Sequence, residues 1–319
     1  MLKFICKKIT LQWFLLIGLF AIAIYIIFTK AHVPNLNGNA FLFESFTHFF
    51  LKHGLFGKII ISLILLFQIV LLQIYFSRNE YSAKTNLLPS CLYISILLAT
   101  KSFIYISPFF FTLFFFTIVF TINYTGKEVS LKNNVFWVGM LIALATCFDI
   151  SSIVLLLLAT ITIFINQFSR MKEIGIMLFG FSLVYLYFFS FYFFNNNHEI
   201  WFQTFQQIKV FGISDSEKLS DTFTIIKLNI LAVIYLYLIV RTKLINDSKV
   251  IIQRKRIITL NTRAILMTAC LLLTNSTYPH ILGYLYIYVA TYLALLAQEK
   301  SPLYFNEFVT IATFVLLCL

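Results

Sequence analysis

Between positions 88 and 167 the chain runs through four apolar segments with almost nothing polar to separate them. They read LPSCLYISILLATKSFIYISPFFFTLFFFTIVF, a short basic loop, then VFWVGMLIALATCFDISSIVLLLLATITIFIN, with Lys101 and Asp149 as the charged interruptions. No water-soluble fold can bury that much continuous apolar surface. Hydrocarbon accepts it, because each run can satisfy its backbone within a helix. The stretch predicts an all-α fold, a polytopic integral membrane helix bundle.

Composition extends this reading to the whole chain. Of 319 residues 61% are hydrophobic and 11% charged, and the mean hydropathy is +0.92; soluble domains carry about a quarter charged residues. The length holds about eleven spans of roughly 20 residues joined by short loops. No polar stretch is long enough for a separate soluble domain, so residues 1–319 read as one membrane domain. The net charge of +12 comes from bases in loops between apolar runs. That is the signature of membrane orientation and attraction to anionic lipid, and it excludes nucleic acid as the partner. Cys6, Cys91, Cys147, Cys270 and Cys318 are scattered singly, without a CxxC pair or a Cys/His cluster. A disulfide framework, a metal site and a cofactor are therefore not expected.

Taken in order, Lys3, Lys7 and Lys8 precede a first span at 13–28, read as an uncleaved anchor with its N-terminus in the cytoplasm. The loop that follows has Phe at 41, 43, 46, 49 and 50, with Glu44, His48 and Lys52 between them. Steps of three and four predict a helix lying in the membrane interface over 41–54. Further spans are expected at 58–76, 88–103, 107–124, 135–148, 150–166, 174–194, 222–240, 257–274 and 281–297, with a last apolar run at 308–319. In this topology 17 of the 24 Lys and Arg residues face the cytoplasm. That bias places the N-terminus on the cytoplasmic side.

Four residues stand out as carriers of chemistry. Asp149 is costly between two apolar runs unless it reaches water, a partner or a cavity. It either lines an external cavity, binding a cation or a substrate hydroxyl, or caps the following helix, since FDISS places a carboxylate before free N–H groups. Glu44 and His48 are four residues apart and share one helix face. They read as a general base with an imidazole beside it, His53 being close in sequence, or as the wet side of an amphipathic helix. Lys101 either holds a phosphate oxygen or snorkels to the interface. Arg263 and His280 read as interface residues. No P-loop, HExxH or GxSxG motif occurs, which disfavours an ATP-driven pump.

Two resemblances enter on these residues. From RNEYSAKTNLLPSCLYISILLA through SPFFFTLFFFTIVF to FWVGMLIALATCFDISS and SRMKEIGIMLFGFSLVYLY, the chain resembles an uncharacterised family of Bacteroidota inner-membrane proteins. It shares an N-x-LPS-x-LY opening, an S-P span and F-W-x-G-x-L-I-x-L-A. The order of one span, a long external loop with an interfacial helix and then tight hairpins also resembles multispan glycosyltransferases that use polyprenyl-phosphate sugars, and GMLIALA is similar to their span openings. Those enzymes commonly carry an acid in the first external loop, and Glu44 is the acid there. The second resemblance implies a glycosyltransferase-like protein with a lipid-linked donor, Glu44 and His48 serving catalysis and Lys101 and Asp149 binding substrate. The alternatives are a non-catalytic subunit with protein partners in an envelope or secretion assembly, and a transporter or flippase for a lipid-linked substrate. Membrane lipids are partners in every case. For the topology, a cysteine introduced at Asn196 is expected to react with an impermeant thiol reagent added to intact cells, and one at Ser248 to stay unlabelled.

Overall fold

In the computed structural model, residues 9–31, 42, 46, 54–78, 86–99, 108–122, 128–166, 171–195, 237, 239–240, 251–273 and 278–297 are described. Among them are nine α-helices of 12 to 25 residues and no strand. These are α1 (Ile9–Lys30), α2 (Gly54–Arg78), α3 (Leu88–Ala99), α4 (Pro108–Thr121) and α5 (Glu128–Phe148), then α6 (Val154–Asn166), α7 (Met171–Phe194), α8 (Ile251–Leu273) and α9 (Tyr278–Ala297). A 3₁₀ turn, Ile150–Ile153, joins α5 to α6.

The expected spans are helical over nearly all of their described residues, but six of the nine helices begin three to seven residues ahead of the expected span, α5 and α8 furthest. Helix α5 starts at Glu128, inside a segment read as loop, and α8 starts at Ile251, inside the basic segment before Arg256. Hydropathy marks where a helix enters hydrocarbon and not where winding begins. A helix can wind on for a polar turn or two beyond the apolar run. The interfacial helix proposed for 41–54 lies mostly outside the described residues; Leu42 and Phe46 are helical, and Gly54 opens α2.

Three helices, α1, α2 and α7, are long and apolar enough to cross a membrane, and six shorter apolar helices accompany them. At 22 residues α1 spans about 33 Å. Large apolar side chains point outward: Phe14 is 76% and Phe194 83% exposed, with Trp13, Phe179, Leu186 and Tyr187 also exposed. Such faces suit lipid and not water. Hydroxyls close onto their own helices, as Thr117 donates to the Leu113 carbonyl and Thr162 to the Leu158 carbonyl, each at 2.7 Å. In hydrocarbon a hydroxyl has few other acceptors.

Contacts fix the relative directions of the helices. Lys58 Nζ donates to the Phe28 carbonyl at 2.7 Å, so α1 and α2 run antiparallel. Ser90 reaches Ile69 while Tyr93 reaches Gln68, so α2 and α3 run antiparallel as well. Phe111 and Phe115 of α4 meet Phe148 at the end of α5. Phe116 meets Tyr284, and Phe120 meets Tyr288, so α4 and α9 are parallel. Tyr292 of α9 donates to Asn261 of α8 at 2.8 Å, antiparallel again. One end of the bundle thus carries Asp149, and the other carries Asn86.

The most extensive contact joins α5 and α7, which run parallel. Gly139 and Gly180 make it possible. A Cβ on Gly139 would overlap the Met177 carbonyl oxygen, and one on Gly180 would come within 2.5 Å of the Phe136 carbonyl oxygen. Small residues at both crossing points let the backbones touch, which is how helices gain packing where no hydrophobic force acts between them. Ala143, Cys147 and Val184 continue the seam, and Tyr185 donates to Thr146 Oγ1 at 2.8 Å. Leucine at either glycine is expected to lower stability in detergent by about 1–3 kcal/mol, read as a fall in Tm. Alanine at Gly175, whose surroundings are open, is expected to leave Tm unchanged or slightly raised.

Candidate functional site

The Asp149 end collects the polar groups that could meet a substrate. The Asp149 N–H donates to the Ala145 carbonyl at 2.9 Å, ending α5, and its carbonyl accepts from the Ser152 N–H at 3.0 Å, starting the 3₁₀ turn. This is the position before a helical turn that the FDISS motif predicts, and Asp149 is half-buried there. Ser152 is fully buried, and its hydroxyl lies 3.0 Å from the Tyr284 hydroxyl of α9. Tyr284 also hydrogen bonds with Thr112, buried near the start of α4, and is close enough to Asp149 for an electrostatic interaction. One carboxylate and three hydroxyls from α4, the turn and α9 therefore gather at one place.

A row of aromatic rings leads there from the connection between α1 and α2. Phe46 sits edge-on to Phe111, with ring centres 4.5 Å apart. Phe111 stacks on Phe148 at 4.8 Å and 9°. Phe148 immediately precedes Asp149. Phe46 lies between Glu44 and His48 in sequence, so this row ties the acid-bearing loop to the Asp149 end. Glu44, His48 and Lys101 themselves lie outside the described residues. Ser152, Tyr284 and Thr112 escaped the sequence reading because single hydroxyls in apolar runs carry no spacing signal. The second serine of FDISS was the one clue.

The opposite end is tied by amides. Gln12 of α1 is 1% exposed and accepts through Oε1 from the Leu87 N–H at 2.8 Å. Asn86 Oδ1 accepts from the Leu88 N–H at 3.0 Å, capping α3, and its carbonyl accepts from Gln73 Nε2 at 2.9 Å. Deeper in, Tyr93 donates to Gln68 Oε1 at 3.1 Å, both side chains being wholly buried. Asn86, Ser90 and Tyr93 are the polar members of the N-x-LPS-x-LY opening, and each one bonds across helices or caps α3. Arg263, read as an interface residue, is instead 7% exposed within α8, and Glu173 in the first turn of α7 is 4% exposed. Periodicity does not show this, since the depth of a single charged residue depends on which neighbouring helices cover it. His280 falls inside α9.

No group of three His, Cys, Asp or Glu residues placed to hold a metal ion occurs among the described residues. The Asp149 end sets a half-buried carboxylate near three hydroxyls. No family model, curated protein or solved structure matches this chain.

The Ser152–Tyr284 contact is open to a double-mutant cycle. Ser152→Ala and Tyr284→Phe are each expected to cost about 0.5–1.5 kcal/mol in unfolding from detergent. The double variant should lose little more than either single one. Strict additivity would mean the two hydroxyls are not bonded.

Proposed function

We propose that this is a polytopic inner-membrane protein of the cell envelope that transfers a sugar from a polyprenyl-phosphate donor to a hydroxyl acceptor at its Asp149 end. The observation that carries the reading is the row Phe46–Phe111–Phe148, which brings the first external loop onto the end that holds Asp149, Ser152 and Tyr284. In this reading Glu44 takes the acceptor proton and the acceptor oxygen bonds to the anomeric carbon. The bond from that carbon to the phosphate oxygen breaks, and polyprenyl phosphate leaves with the electron pair. Lys101 and His48 neutralise the leaving phosphate, and Asp149 holds acceptor hydroxyls. In the same reading the chain is a member of the Bacteroidota inner-membrane family that it resembles.

The helix directions support the full span count. Helix α7 ends at the Asp149 end, whereas α8 begins at the Asn86 end, so the chain between them has to change sides. That requirement supports the span placed at 222–240, where Tyr237, Ile239 and Val240 are helical and Ile239 is buried. Ten crossings result, with 308–319 as the eleventh. The basic loops then put the Asn86 end, and the N-terminus, in the cytoplasm.

One observation favours a second reading, a non-catalytic subunit of an envelope assembly. Ser152 and Tyr284 bond each other, so their hydroxyls also serve as a structural tie. Proteoliposomes supplied with a panel of radiolabelled polyprenyl-phosphate hexoses separate the two. Transfer by the wild type, a fall of about 10² to 10⁴ in rate for Glu44→Gln and weaker acceptor use for Asp149→Asn are expected. A Glu44→Gln variant with full activity removes that base, and no transfer from any donor leaves the subunit reading.

A further inference from the structure

The hairpin of α1 and α2 carries two bases that the transfer reading does not use. Gln12, near the start of α1, bonds with Leu87, and Gln73, near the end of α2, bonds with Asn86. The opposite ends of both helices, with Lys30 and Lys58, therefore lie at the Asp149 end. Lys30 is exposed in the last turn of α1 and has no hydrogen bond or ion pair among the described residues. Lys58 is half-buried one turn into α2, and its ammonium donates to the Phe28 carbonyl at 2.7 Å in an exposed bond. That carbonyl is one of those that a helix end leaves without an intrahelical donor. The bond fixes the ammonium in place and uses one of its three donors. Neither helix contains Asp or Glu. Beside these bases the surface of α2 is apolar. Ile59 opens an outward stripe with Leu63, Leu66 and Val70, each between 38% and 51% exposed. Steps of four, three and four keep them on one helix face. Every exposed residue of α2 from 59 to 76 is apolar. Ser62, at the edge of the stripe, is half-buried and closes its hydroxyl on the Lys58 carbonyl at 2.9 Å, and Gln68 is wholly buried.

We infer that this end of the α1–α2 pair binds one anionic phospholipid of the leaflet at the Asp149 end, its phosphate at Lys58 and Lys30 and an acyl chain along Ile59, Leu63, Leu66 and Val70. Charge and length select this occupant. A fixed ammonium and a second base, with no acid on either helix, complement a phosphodiester. A zwitterionic lipid would bring its own cation towards the two lysines. From Ile59 to Val70 the stripe runs about 16 Å, roughly half of the hydrocarbon core and so the depth of one leaflet. The inference does not rest on the transfer reading, and its failure would leave that reading untouched.

The test uses the full chain in neutral detergent, titrated with phosphatidylglycerol or phosphatidylcholine and followed by native mass spectrometry. Phosphatidylglycerol is expected to bind about tenfold more tightly, and to weaken as ionic strength rises. Lys30→Gln and Lys58→Gln are each expected to weaken it about fivefold, in line with one base near a lipid surface. Lys172→Gln, exposed in the first turn of α7 at the opposite end, should leave it unchanged. Equal affinity for the two lipids would overturn the proposal, as would full binding by the double variant Lys30→Gln/Lys58→Gln. Competition by millimolar inorganic phosphate would do the same, since it would mark a free-anion site. Displacement by an equal concentration of polyprenyl phosphate would also overturn it, and would give this face to a donor lipid. Should Lys58→Gln fail to fold, two other variants decide the matter. Lys30→Gln breaks no bond among the described residues and still has to weaken binding, and Lys58→Arg has to retain it.

Discussion

Hydrocarbon offers no hydrogen bond, and the described structure is arranged around that fact. Each segment that enters it is helical, because a helix is the local structure that pairs its own N–H and C=O groups. The hydroxyls of Thr117, Thr162 and Thr291 turn back onto carbonyls one turn earlier. Side chains too long to do so are drawn to other helices, so that Gln12 serves α3, Gln73 serves Asn86 and Tyr93 serves Gln68. The same shortage of partners that forces helices also chooses which helices meet. An amide that cannot face lipid becomes a contact between elements far apart in sequence, as Gln12 and Leu87 are.

Polar ties give specificity, but close packing supplies most of the contact. Where both the inside and the outside of a bundle are apolar, burying a leucine gains little over leaving it in lipid, and dispersion between well-fitted surfaces has to carry association. The α5–α7 seam meets that need by removing side chains at Gly139 and Gly180, so that backbone rests on backbone. Around α4 the opposite solution appears. Phe116 and Phe120 interleave with Tyr284 and Tyr288 in edge-on and tilted contacts, filling the space with rings.

These two solutions explain what could be read in advance. Among the described residues, the positions of the apolar helices and the hairpin at Asp149 follow from hydropathy, and the described helices agree with them. Pairing does not follow, because a helix with lipid on one side and protein on the other shows no contrast in hydropathy between its faces. Gly139 was visible within GMLIALA, but nothing in the sequence says that Met177 would lie against it. Arg263 looked like a boundary residue for the same reason, since its depth depends on which neighbours cover it. At the site, Asp149 was legible as an isolated charge. Ser152 and Tyr284, 132 residues apart, meet only through the packing of α9 against the turn.

The two ends of the bundle differ in kind, and the difference bears on function. At the Asn86 end, buried amides bind α1, α2 and α3 to one another. That chemistry anchors helices. At the Asp149 end the groups are a half-buried carboxylate, small hydroxyls and stacked rings, joined by Phe46 from the connection between α1 and α2. An apolar turn would close the α5–α6 hairpin without the cost of partly desolvating a charge. Asp149 is half-buried there, and its backbone joins α5 to the 3₁₀ turn. Under the transfer reading proposed above, that carboxylate is the group placed to accept a hydrogen bond from an incoming hydroxyl, with the bonded pair Ser152 and Tyr284 beside it.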